Sequence, residues 1–193
     1  QLNIYSFPIS IAEYFIGDVL SETHGTFDAD LHFDGQFSRP TTRGKVYLGP
    51  GGVTVNYLKT HYTFRRATVN VDDNLFDMTG AVLRDKFNHT AILAGGIKHD
   101  HLKRFGFAAR LNARRFLAMD TKKGDNKLFY GQALGTGEVV FSGSFKLPDI
   151  YVNASVSDST RLVIPVSSQR EADELKFLRF VDKRKEKEAD ESS

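Results

Sequence analysis

The chain has 193 residues, 40% of them hydrophobic and 26% charged, with a formal net charge of +2. That is the balance of one globular domain rather than of a disordered or membrane-spanning chain. The absence of Cys excludes disulfides, zinc fingers, thiol nucleophiles and iron–sulfur clusters. Acidic and basic residues are interspersed, which gives nucleic-acid binding little support. No apolar run approaches the roughly 20 residues that cross a bilayer. Gln1 opens without an initiator Met or a signal-like segment, so the chain is expected to be a piece of a longer protein.

Ser10 and Glu13 have the spacing of a capping box, with Ile9 and Tyr14 placed as a hydrophobic staple. They predict a short helix over Ile11–Ile16 that Gly17 stops. Ile11 and Phe15 share a face at four-residue spacing, so the helix reads as an amphipathic plug or lid, or more simply as a helix packed on a sheet end.

From Gly25 to Val166 the apolar period is two. It is cleanest where Phe27, Ala29, Leu31, Phe33 and Phe37 interleave with Asp28, Asp30, His32, Asp34 and Gln36. It returns in Val53, Val55 and Tyr57, in Phe105, Phe107, Ala109, Leu111 and Ala113, and in Val139, Phe141, Gly143 and Phe145. Such alternation predicts short antiparallel strands with one apolar face, and the many Phe rings make that face fit to line a cavity or to fill a core. Turn signals stand at Arg39-Pro40, Gly49-Pro50-Gly51-Gly52, Asp72-Asp73-Asn74, Lys123-Gly124-Asp125-Asn126 and Leu147-Pro148-Asp149. Gly95-Gly96, inside a strand pattern, predicts a bulge or a bend. A second capping box, Ser168 with Glu171, precedes Leu175, Leu178 and Val181 at helical spacing. A C-terminal helix is expected there, followed from Asp182 by a frayed or disordered charged tail.

Motifs for chemistry are sparse. On a strand, His99 and His101 would aim at one side and share a metal, but two further ligands are wanting and Lys103 and Arg104 follow, so a hairpin turn is the simpler reading. Gly49 to Gly52 lacks the Lys-Ser/Thr pair and the helix of a phosphate loop. Ser142 and Ser144 flank Gly143 without the strand-to-helix elbow of a nucleophilic Ser. Asp28, Asp30 and Asp34 alternate onto a polar face, and Asp85, beside Lys86 and near Asn88, is placed to cap a turn. Arg65-Arg66 and Arg114-Arg115 either meet anionic headgroups at a groove rim or lie at solvated strand ends. No nucleophile, base and orienter emerge from the spacing, so the chain reads as non-enzymatic, with no cofactor and no metal.

In order, Gly25-Thr26-Phe27, Gly44-Lys45-Val46-Tyr47-Leu48, Tyr62-Thr63-Phe64, Asp85, Ala91 to Gly95 leading to Ile97-Lys98-His99, Phe129-Tyr130-Gly131, Gly135-Thr136-Gly137-Glu138-Val139 and Ile164-Pro165 form an ordered series. It resembles the C-terminal region of TamB-type proteins, the inner-membrane components of the translocation and assembly module within the AsmA-like superfamily. The spacing is most similar to versions from the Bacteroidetes. The resemblance spans roughly residues 5 to 181.

The resemblance implies an all-β fold: an elongated antiparallel sheet folded into a U-shaped trough, or β-taco, with an apolar concave face. Short helices are expected to flank it. The expected organisation is an N-terminal segment over 1–24 with the short helix, the β-taco module over 25–168, and a helix and charged tail over 169–193. By phase, Phe27, Leu31, Phe33, Val53, Val55, Phe64, Phe107, Leu111, Val139 and Phe141 point inward, and the resemblance makes them lipid-contacting, groove-lining residues. It further implies a periplasmic module of a protein anchored in the inner membrane and linking inner and outer membranes. Its cargo would be phospholipid, whose acyl chains occupy the groove, or apolar nascent strands during outer-membrane protein assembly and secretion. The full-length protein would meet an outer-membrane barrel of the Omp85 type. On the alternation alone, a closed β-sandwich or barrel that binds an apolar ligand remains the alternative.

Overall fold

The computed structural model describes residues 1–36, 39–125 and 129–165. Phe37 and the expected C-terminal helix lie outside the described residues. Among the described residues fourteen strands form one antiparallel sheet, curled into a half-barrel.

The strand order follows once the chain is taken as a series of long passes that each turn a corner. β1 (Leu2–Pro8) leads through a 3₁₀ turn (Ile9–Ala12) into α1 (Glu13–Ile16). β2 (Leu20–His24) runs through Gly25 into β3 (Thr26–Gln36), and β4 (Arg39–Leu48) runs through Gly49 and Pro50 into β5 (Gly51–Val55). β6 (Thr60–Phe64) turns at Arg65 and Arg66 into β7 (Ala67–Val71), and β8 (Leu75–Asp77) turns through residues 78–81 into β9 (Val82–Arg84). One series of pairings is β1 with β3, β3 with β4, β4 with β7 and β7 with β8. The other is β2 with β5, β5 with β6 and β6 with β9. These are two walls of one sheet. They merge at β10 (Thr90–Asp100), which pairs β8 through residues 96–98 and β9 through residues 90–92. β11 (Lys103–Thr121) and β12 (Tyr130–Gly143) continue across both walls, and β13 (Pro148–Val156) and β14 (Arg161–Val163) pair separate halves of β12.

The corners have local causes. Gly95 has φ +76°, and a side-chain carbon there would lie 2.1 Å from the Ala108 carbonyl oxygen, so only glycine fits. Its register with β11 is unbroken from Ala94 to Gly96, which makes it a bend rather than a bulge. The 78–81 corner is bonded to the same stretch: Met78 N donates to Gly95 O, Gly80 N to Leu93 O and Leu93 N to Ala81 O. β11 turns by true bulges, with register shifts between Ala113 and Phe116 and between Leu117 and Met119.

Two local expectations are corrected. Arg39-Pro40 is not a turn but the start of β4, with Arg39 opposite Gln36 and Pro40 opposite Gly35. β7 reaches β4 only from Gly44 to Leu48, so the N–H that Pro40 lacks has no ladder to serve on that edge. The capping box is not formed either: Pro8 precedes the 3₁₀ turn, and neither it nor Ala12 makes a side-chain cap. Two donors on the neighbouring strand claim Glu13 instead, the Thr23 hydroxyl at 2.6 Å and the Thr23 N–H at 2.7 Å. They hold its carboxyl below the ordinary carboxylate range. The helix is thereby tied to β2, with Tyr14 and Phe15 exposed.

Candidate functional site

Residues directly opposite each other on antiparallel strands share a face, so the register defines the inner surface. On the first wall one row runs from Leu2 through Leu31, Gly44, Val71, Phe76 and Ile97 to Phe107. Beside it lie Ala29, Val46 and Val69, and Phe27 with Leu48. Further rows join Ala109, Phe141 and Ile150, and Leu93, Leu111, Val139 and Val152. On the second wall Val53 opposes Tyr62, Val55 opposes Thr60, and Phe64 opposes Gly51. Ala91 opposes Leu83, and Ala91 packs with Tyr62, Phe116, Val55, Leu83, Leu111 and Ala113, so both walls turn the same face inward. All ten residues singled out by phase therefore lie on one continuous apolar face. Phe64 is buried at 9% exposure and Phe33 is 41% exposed, while the other eight are half-buried.

The face is well packed at one place. The hairpin between β9 and β10 is short, and beyond it β6 and the turn that leads into it approach β11 directly, with Asp120 N donating to Leu58 O in that turn. The rings of Tyr62 and Phe116 stack there at 4.8 Å, and Phe116 is only 1% exposed. Tyr62 Oη donates to the Leu117 carbonyl at 3.0 Å, and burial pushes its ionisation well above the ordinary tyrosine value. Asp85 stands where the next strand would have been. Its buried carboxylate accepts from Phe87 N and His89 N, capping the turn as its neighbours suggested, and also from Leu117 N at 2.7 Å. It supplies the acceptor that β10, which starts only at Thr90, does not. Burial alone would raise the Asp120 carboxyl, but its hydrogen bonds to Lys86 and Gln132 together with the charges of Lys86 and Lys122 outweigh it, and the net shift is downward.

Away from this packed region the face is a row of rings. Phe76 lies 4.4 Å from His99 and 6.5 Å from Phe105. Phe107 contacts Phe145 at 4.6 Å and Phe141 at 6.1 Å. His99 belongs to this row: burial pushes its imidazole below the ordinary histidine value, more than the Asp72 carbonyl pulls it back. His101 is engaged elsewhere, by Pro40 O and by Arg39 Nε, so the two histidines do not converge. Toward β13 the face is progressively uncovered, with Ile150, Val152 and Val156 at 44%, 58% and 65% exposure.

The outer face is mostly polar, with Tyr47, Ile92, Val140 and Tyr151 among its exceptions. Asp30 opposes Lys45, and His32 opposes Arg43. Arg43 bonds Asp73 at 2.9 Å, an interaction that raises its already high pKa, and Arg110 pairs with Glu138 at 3.2 Å. Arg65 and Arg66 sit at the β6–β7 corner, and Arg114 and Arg115 at the β11 bulge, all exposed. Ser142 and Ser144 are exposed, and Ser144 Oγ accepts from Leu147 N.

Sequence reasoning missed several inner residues. Val69, Val71, Ile150 and Val152 follow an alternation that was there to be read. Phe116 was hidden because the bulge at Arg114 and Arg115 shifts the phase by one residue.

One sheet curled about a single apolar face, mostly polar outside and turning corners in nearly every pass, defines a β-taco trough. The TamB C-terminal domain model matches residues 79–193, from the corner before β9 onward, and the chain belongs to that family. The family is a translocation and assembly module of the cell envelope and not a known enzyme family. No curated protein and no solved structure matches the chain. No described helix is long and apolar enough to cross a membrane.

Proposed function

We propose that the inner face is a non-enzymatic trough for apolar chains in the periplasm, occupied by phospholipid acyl chains or by nascent outer-membrane strands. It would act within a longer protein that is anchored in the inner membrane and meets an Omp85-type barrel. The supporting observation is the incomplete cover of a continuous apolar face: of the ten phased residues only Phe64 is buried. A closed sandwich would bury nearly all of them, whereas acyl chains gain about 0.8 kcal/mol for each methylene removed from water on such a surface. The ring row of Phe105, Phe107, Phe141 and Phe145 offers rigid contact area without polar groups to satisfy. Native mass spectrometry with lipid extraction of the purified chain tests the reading. Co-purified phospholipid in a defined ratio supports it, and a lipid-free protein that also takes up no phospholipid from vesicles contradicts it.

A further inference from the structure

On the outer face of the second wall, β5 lies between the edge strand β2 and β6. His24 opposes Gly52, and Thr54 opposes His61. The two imidazoles stack over Gly52 with centroids 5.4 Å apart and planes within 7°. His61 Nε2 and His24 Nε2 lie 2.7 Å and 3.0 Å from the point that a side-chain carbon on Gly52 would occupy. Glycine is what lets both rings lean over the strand from either side.

The hydrogen bonds fix where the protons sit. The Thr54 hydroxyl donates to Glu22 Oε2 at 2.7 Å. Its oxygen is then the acceptor in the 2.9 Å contact with His61 Nδ1, which must carry the proton. His24 Nδ1 faces the Glu22 carbonyl at 3.4 Å, a group that only accepts, and this long contact favours the tautomer with its proton on Nδ1. Both Nε2 atoms are then unprotonated, and both lie beside Gly52, on neighbouring, nearly parallel rings. Glu22 serves both rings because β2 carries a register shift between Ser21 and His24 and Glu22 has φ +51°. This is a strained conformation for a non-glycine residue, of the sort that re-aims a strand at a site.

We infer that His24 and His61 form a two-histidine site for a divalent transition-metal ion, Zn²⁺ or, more tightly, Cu²⁺. Imidazole nitrogen suits both ions, and Cu²⁺ binds a given nitrogen site the more strongly. The Glu22–Thr54–His61 chain and the Glu22 carbonyl at His24 are the outer partners that orient ligating histidines and set their tautomers. His61 is held by its 2.9 Å bond to Thr54, while the exposed His24 ring, whose Nδ1 contact is the longer one at 3.4 Å, turns out of the stack to bring both Nε2 atoms onto one ion. Among the described residues no group of three or more His, Asp or Glu could hold a metal, so water completes the coordination. The bound ion would clip β2 to β6 across β5. This inference is independent of what occupies the inner face.

The test is isothermal titration of the untagged 193-residue chain with ZnCl₂ and with CuCl₂ in a non-coordinating buffer, followed by imidazole NMR. One ion per chain is expected, with the Hε1 signals of His24 and His61 shifting together. His24→Gln and His61→Gln should each abolish this binding, and Thr54→Val should weaken it about 10- to 100-fold, while His32→Gln, elsewhere on the outer face, should leave it unchanged. Because His24 and His61 are exposed, these variants should keep the native melting temperature. Absence of saturable binding, binding that survives both histidine substitutions, or a shift of only one of the two rings overturns the assignment.

Discussion

The same substitution at two positions of the inner face should have opposite outcomes. Phe116 is 1% exposed and stacks on Tyr62 at 4.8 Å. Removing a buried Phe costs about 3–5 kcal/mol, and losing the ring pair adds about 0.5–1.5 kcal/mol. An unpartnered carboxylate placed there adds several kcal/mol more. The sum reaches the roughly 5–15 kcal/mol of a typical domain, so Phe116→Glu should not fold. Phe107 is half-buried in the ring row, against Phe145 and Phe141. A glutamate there can keep its carboxylate in water, and the loss is confined to ring contacts, about 1–2 kcal/mol. Circular dichroism melts on both variants, with the phospholipid recovered from each, give the comparison. Phe107→Glu should melt cooperatively a few degrees below the parent and lose its lipid. If it unfolds as Phe116→Glu does, the face is sealed and the trough reading is wrong.

Leu31 and His32 are neighbours on opposite faces, so Leu31→Asp should destabilise by about 1–3 kcal/mol while His32→Asp stays within about 0.5 kcal/mol. Equal effects in urea titrations would show the register of β3 to be wrong. Asp85→Ala orphans the buried Leu117 N–H and uncaps the turn to His89, a loss of about 2–4 kcal/mol; a change under about 1 kcal/mol would deny Asp85 its bridging role. Folding keeps Tyr62 neutral where the unfolded chain would ionise. Its contribution is therefore full below about pH 10 and is lost as pH rises beyond that, through the raised folded value. Melting temperatures from pH 8 to 11.5 should fall less steeply in Tyr62→Phe, which also costs about 1 kcal/mol for the lost bond to Leu117 O. Parallel pH curves would refute this.

Much of the trough was legible because its two faces differ in polarity. Alternation separated the apolar from the polar positions of each strand, since a strand's side chains have a period of two and a slip of one residue inverts the pattern. What the sequence concealed were features that two distant segments make together. The Tyr62–Phe116 packing depends on a bulge that breaks the period, and on a short β9–β10 hairpin that lets β6 meet β11. The second role of Asp85, as acceptor for Leu117 N, arises in the same way. Glu13 fitted a local box, yet the box lost to Thr23, ten residues away. The stacking of His24 on His61 over Gly52 joins three strands, and no local motif announces it.

The central claim, that apolar chains occupy the inner face, is tested most directly by site-specific photocrosslinking in the cell envelope. A benzophenone amino acid at Leu111 or Val139, on the inner face, is compared with one at Asn112 or Val140, the adjacent outward positions. Crosslinks to phospholipid or to outer-membrane strands from Leu111 and Val139, and not from Asn112 and Val140, are predicted. Equal labelling from both faces, or none from the inner one, would contradict the account.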